Sequence, residues 1–149
     1  MENEPVVIQA ILLSDHVIRE AGSNKLSLIG CFAVWNASFF PFPAPKFVIT
    51  TFIGNFRKCG VEVVVTLRIE TTNKHVIWSA MGKVGFPPNQ QPPPELLVEI
   101  PFQAQGVAFA EPGRYTIRVI VDGDEIGQRD FCVRPLTAPT VHLEKGDAS

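Results

Sequence analysis

The sequence predicts an all-β chain folded as an antiparallel β-sandwich of seven to eight strands. Three observations lead there: a hydrophobic period of two, turn signals between the apolar runs, and the lack of a convincing amphipathic helix. The period is plainest after Val61. Val61, Val63, Val65, Leu67 and Ile69 share one face, and Glu62, Thr66, Arg68 and Glu70, joined by Val64, share the other. Successive side chains of a strand point to opposite sides, so this is the pattern of a half-buried antiparallel strand.

The remaining elements follow in chain order. Val6–Leu13 reads as the opening strand, after a frayed start over residues 1–4, and Ser14–Glu20 as a helical turn. Gly22–Asn24 marks a turn into a strand over Leu26–Trp35. Ser38–Pro45, SFFPFPAP, is a loop, because proline removes donors and fixes φ. In Phe47–Ile53 both alternating sets are apolar or small, which suits a strand buried on both faces. Val61–Glu70 and His75–Met81 are separated by a turn at Asn73–Lys74. Phe86–Pro94, FPPNQQPPP, is a second proline loop with access to polyproline geometry, followed by a strand at Leu96–Phe102.

Tyr115, Ile117, Val119 and Val121 repeat the alternation against Thr116 and Arg118. Asp122-Gly123 then makes the clearest local element, since a two-residue hairpin turn needs positive φ at both central positions. A last strand is expected at Gly127–Val133. Residues 1–135 form one domain on this reading, and 136–149 a polar tail with a short edge strand at Thr140–Leu143.

Composition bounds the class. A chain of 149 residues with 46 % apolar and 19 % charged residues suits a packed globule. A chain of this length buries roughly 68–70 % of its unfolded surface, enough for a core without staples. The net charge is −2 and the pI near 5.9, and the longest basic cluster is Arg57-Lys58. Phosphate binding needs a dense basic patch, so no nucleic-acid partner is expected. Val6–Leu13 is too short to span a bilayer and lacks the marks of a signal peptide, so no membrane partner is expected either. The expected location is the cytoplasm. Cys31, Cys59 and Cys132 make an odd count, and reduced thiols are the expectation there. An inter-sheet disulfide between Cys31 and Cys132 is the competing reading, since both fall in predicted strands.

Glu111-Pro112-Gly113-Arg114-Tyr115 delivers the chain into a strand with a tyrosine near its start. It is similar to the entry of many immunoglobulin-like sandwiches, where that tyrosine packs inward and bonds a loop backbone. More broadly, IQAILLSDHVI, KLSLIGCFAVWNASFFPFP and EPGRYTIRVIVDGDEIGQ resemble an uncharacterised bacterial family of small immunoglobulin-like β-sandwich proteins. The shared punctuation is an opening strand ending in Ser14-Asp15, a Lys-Leu-Ser strand running from Lys25 into Gly30, and the aromatic-proline loop. The resemblance implies fold and a bacterial cytoplasmic origin, and no activity.

Chemical signatures are scarce. His16, His75 and His142 lie too far from one another and from the cysteines for legible metal-ligand spacing. Asp122, Asp124, Glu125 and Asp130 gather acids that suit calcium, though an exposed turn shows the same residues. A Cys59–His75 dyad has nothing to favour it over a buried thiol, and no nucleophile elbow or phosphate-cradling glycine loop occurs. No catalytic residue and no cofactor is assigned. Phe39, Phe40 and Phe42, with Trp35 nearby, are the candidate partner-binding residues. They either cap an open end of the sandwich or face outward as an apolar patch. Trp35 and Trp78 also admit a sugar platform.

The expected function is therefore a non-catalytic binding or assembly module. It would engage a protein partner or a second copy, as a homo-oligomer, through the Phe39–Phe42 loop or an open sheet edge. The alternative is an enzyme, or a domain of the same fold that binds calcium or carbohydrate. Alkylation in denaturant without reductant should add three groups to the native chain. A single adduct would reveal an internal disulfide and contradict the cytoplasmic reading.

Overall fold

The structure, a computed structural model, describes residues 7–56, 60–136 and 143–146, with side chains from residue 10 onward. These residues form eleven strands: β1 (Val7–Arg19), β2 (Leu26–Phe32), β3 (Val34–Ala37), β4 (Phe42–Pro43), β5 (Phe47–Gly54), β6 (Glu62–Glu70), β7 (Val76–Gly85), β8 (Val98–Ala104), β9 (Ala108–Phe109), β10 (Gly113–Val121) and β11 (Asp124–Pro135). One sheet runs β2-β1-β5-β8 and the other β3-β11-β10-β6-β7, with β4 and β9 pairing apart from both. The count exceeds seven or eight because Leu26–Trp35 divides into β2 and β3, and because the two-residue strands β4 and β9 are added. All pairings are antiparallel except β3 with β11.

The core lies where the alternating sets predict. Val63, Val65, Leu67 and Ile69 from β6 and Tyr115, Ile117, Val119 and Val121 from β10 are buried. They face Ile11, Leu13, Phe47, Ile49, Ile53 and Phe102 of the other sheet. Strand β5 is buried on both faces, Val48 and Thr50 included, and it lies between β1 and β8 in its sheet. At the edge between sheets, Gly82 of β7 lies against the ring of Phe102.

Two stretches differ from the sequence expectation. Ser14–Glu20 is not a helical turn: β1 continues through Arg19, paired in register with β2 from Leu13↔Phe32 to Arg19↔Leu26. Backbone bonds from Glu20 to Lys25 and from Asn24 to Glu20 close that hairpin, with Gly22 and Asn24 at positive φ. Leu26–Trp35 is not one strand. It breaks at Ala33, where the chain leaves the four-stranded sheet and enters the other as β3. The predicted frayed start, and the edge strand at Thr140–Leu143 except Leu143 itself, lie outside the described residues. Leu143 is exposed and in no strand. Among the described residues no helix is long and apolar enough to cross a membrane.

The turn chemistry follows the sequence closely. Asp122 and Gly123 both take positive φ, 48° and 89°, and the Asp122 carboxylate accepts the Val64 amide at 2.9 Å. The Tyr115 hydroxyl donates to the Glu111 carbonyl at 2.6 Å, fixing the loop that enters β10. Burial pushes the Tyr115 phenol above its ordinary value, and the nearby Glu111 charge adds to the shift. It is the sole tyrosine of the sequence, so absorbance titration reads it alone. The native midpoint should lie above the usual value of about 10, and in denaturant it should fall to about 10. Because the folded pKa is the higher one, this group's contribution is intact below the unfolded value of about 10 and is lost as pH climbs from there through the folded value. Coincident native and denatured midpoints would contradict the corner.

Candidate functional site

The aromatic loop turns back onto the sandwich. Phe40 and Phe42 are half-buried and pack against the core, whereas Phe39 stays 60 % exposed. The Phe40-Pro41 bond is cis, and the loop is held by the β4–β9 pairing of Phe42 with Phe109 and by a bond from the Ala44 amide to the Val107 carbonyl. Trp35 contacts Phe32, Phe42 and Phe47, with ring centroids 4.6, 5.9 and 5.5 Å away. Phe42 stacks on Phe109, which contacts Tyr115 and Phe131 in turn. Of the four candidate partner-binding residues, Phe39 alone is exposed; Trp35, Phe40 and Phe42 are half-buried.

The acids of the last hairpin are not directed at a common point. Asp122 holds the Val64 amide, Asp130 accepts the Thr116 hydroxyl at 2.8 Å, and Glu125 pairs with Arg118 at 2.7 Å. Arg118 also binds Gln128 and reaches Glu70, which is only 6 % exposed. Glu125 foremost, and Glu70 after it, push the Arg118 pKa still higher and keep the guanidinium charged. Among the described residues no three His, Cys, Asp or Glu side chains gather as metal ligands. Cys59, and with it the Cys59–His75 pairing, lies outside the described residues, as does His142. Cys31 and Cys132 are both free thiols, so the competing disulfide is not formed.

Two shallow grooves hold the remaining histidines. His16 lies with Asp15, Arg19 and Lys46 in one of about 340 Å³, and His75 with Glu111 and Arg114 in one of about 440 Å³. The charged side chains of both are exposed and of mixed sign, so neither presents a converging set of polar groups.

The sheet edges differ from one another more than the grooves do. An edge strand carries unpaired N–H and C=O groups and invites another strand, so proteins blunt edges with charge, proline, bulges or shortness. Strand β3 is four residues long. Strand β8 carries Glu99 and Pro101. Strand β7 carries Lys83, set against Glu62, and faces a register shift at Ile69/Glu70. The first half of β1, which β2 does not reach, has its Ile11 carbonyl taken by Arg129 from the opposite sheet.

Strand β2 is neither short nor charged, and its one irregularity is Gly30, at a φ of 71°. Its seven residues, LSLIGCF, hold no charge and no proline, and Ile29 and Cys31 are exposed. Among the described residues its backbone pairs with β1 alone. Ile18 on β1, 52 % exposed, lies on the same face as Ile29, which is 44 % exposed. Residue patterning treats Leu26–Trp35 as one strand and cannot show which of its backbone sides is open; the uncharged run Leu26–Phe32 was the available signal.

Residues 9–134 match a family of unknown function, DUF6941. The chain belongs to that family. No curated protein matches it. Among solved structures, it is similar to an immunoglobulin-like protein from Pseudomonas aeruginosa, at 13 % identity and a TM-score of 0.40, over 89 % of this chain and 98 % of that one. It is also similar to the Pseudomonas fluorescens alkylpurine DNA glycosylase AlkC bound to DNA containing an abasic site analog, at 16 % identity and a TM-score of 0.44. That likeness covers 68 % of this chain but only 27 % of the glycosylase chain. These likenesses concern the fold.

Replacing Phe40 and Phe42 together with Ser should lower the melting midpoint by several degrees. Removing a fully packed phenylalanine costs about 3–5 kcal/mol, a half-buried one less. Each kcal/mol moves the midpoint of a domain this size by about 2–4 °C. Phe39→Ser should stay within about 0.5 kcal/mol of wild type. A double variant that melts with wild type would show that the two rings are not part of the packing.

Proposed function

We propose that this chain is a non-catalytic protein-binding or assembly module whose binding element is the open edge of β2. The supporting observation is the contrast among edges: β3, β7 and β8 are short, charged or proline-bearing, and β2 is none of these. An extended segment added there gains affinity from main-chain hydrogen bonds and specificity from the side chains that alternate along it. Ile18 and Ile29 offer the apolar contact beside that edge, and Phe39 a secondary one. The exposed free thiol of Cys31 supports placing the module in the cytoplasm. The alternative, an enzyme or a calcium- or carbohydrate-binding domain, has less behind it, because Asp122, Glu125 and Asp130 already have structural partners.

A displayed random-peptide library panned against the domain tests this reading. Enriched peptides should lose binding to Ile29→Lys and keep it for Phe39→Ser, with both variants melting like wild type. Binders indifferent to Ile29→Lys would overturn it, and so would a lack of enrichment by a chain that is monomeric in solution.

A further inference from the structure

The edge of β2 constrains its occupant by symmetry, parity and charge. Two identical strands that pair antiparallel edge to edge are related by a two-fold axis perpendicular to the sheet, which keeps each face on its own side. Opposed residues must therefore share a face, so they differ by an even number and the axis passes through a residue. Only an axis at Ile29, the midpoint of Leu26–Phe32, gives every residue of the strand a partner. Leu26 then lies opposite Phe32 of the second copy, Ser27 opposite Cys31, Leu28 opposite Gly30, and Ile29 opposite itself.

We propose that the occupant of this edge is a second copy of the same chain, joined in that register so that two four-stranded sheets become one sheet of eight. The inference rests on the reading of β2 as the binding edge and names the partner. Like charges directly opposite one another destabilise a strand pair, and this strand has none to oppose. The nearest cation, Lys25, would sit opposite Ala33 of the other copy. The two Lys25 residues, eight strand positions apart, would be separated by about 26 Å at about 3.3 Å per residue. That is well beyond a Debye length of about 8 Å at physiological salt. On one face Ile29 would meet Ile29, with Ile18 of each copy one strand away, so the half-exposed apolar side chains become a single stripe. Moving the axis to Leu28 would set Lys25 against Cys31 and Asn24 against Phe32, and would lose the strand's last two pairs.

Light scattering on size-exclusion peaks, over a dilution series of the full chain, reads the outcome as mass. Wild type should run at two chains. Ile29→Lys and Ser27→Lys, each at an exposed position, should run at one chain while keeping the wild-type melting midpoint. Ser27→Cys should form a disulfide-linked dimer with native Cys31 on mild oxidation, because opposed strand residues lie within disulfide reach. Ser23→Cys at the hairpin tip should not. A wild type that is one chain at every concentration overturns the inference, and so does a dimer that both lysine variants leave intact. The edge reading is judged separately: a monomer whose library peptides still depend on Ile29 keeps the open edge and excludes the second copy. If both measurements fail, the edge reading falls too.

Discussion

The arrangement of this sandwich depends on a continuous chain of aromatic rings at one end. Phe32 ends β2 in one sheet, and Trp35 sits in β3 of the other. Both pack on Phe47, with centroids 6.0 and 5.5 Å away. Through Trp35 the chain of rings passes to Phe42, Phe109, Tyr115 and Phe131, so it touches both sheets and the loop between them. Such ring pairs prefer edge-to-face or offset geometry and add to the burial they provide. The strand change at Ala33 can occur within one residue because apolar side chains on either side of it have a common place to go. The aromatic-proline loop is drawn in by the same rings, which explains why three phenylalanines so close in sequence leave only one in water.

That crossing has a cost elsewhere. Since the chain departs at Ala33 to become β3, β2 is left as the outer strand, and β1 pairs with it only from Leu13 onward. The upper part of β1 is covered differently, by Arg129 reaching across from β11 to the Ile11 carbonyl. An arginine on an inward-facing strand position reads as an anomaly until that carbonyl is seen, and then it is an edge device that also ties the sheets together. The outer face of the five-stranded sheet is handled by charge, with Arg118 holding Glu70, Glu125 and Gln128 together. On the β1–β2 hairpin Ile18 and Ile29 stay about half exposed, although Asp15, His16 and Arg19 lie on the same ribbon.

What the sequence made legible is what short-range physics controls. The alternation in β6 and β10 fixes which side chains are buried. The positive φ of Asp122-Gly123 fixes a turn, and the Pro-Gly-x-Tyr entry fixes a corner bond. Burial of β5 on both faces was readable too, because both of its alternating sets lack charge. The misreadings fall where the deciding contact is distant. Ser14–Glu20 has no clear period of its own and is a strand because Leu26–Phe32 pairs with it. Nothing within Leu26–Trp35 marks the change of sheet, since the partner of its second half, β11, lies a hundred residues on. The candidate edge suffers the same way: an uncharged strand is visible in sequence, but whether a neighbour covers it is a property of the topology.

The punctuation that carries the family resemblance has a physical explanation of this distant kind. Asp15 and Gly30 face each other between the pairs Ser14↔Cys31 and His16↔Ile29. Gly30 has a φ of 71°, a backbone state that side chains rarely adopt, and a Cβ built there would collide with the Asp15 carboxylate. Aspartate over glycine is therefore one joint, and it lies where β1 passes its last partner on β5, Ser14 opposite Val48. Beyond that joint the hairpin is a two-stranded ribbon, and such ribbons take a stronger twist than strands held in a wider sheet. A glycine at this point of a strand bends the ribbon locally, as bulges and glycine kinks do. The residues that looked like mere markers of strand ends set how the hairpin leaves the sandwich, and with it the direction in which the open side of β2 faces.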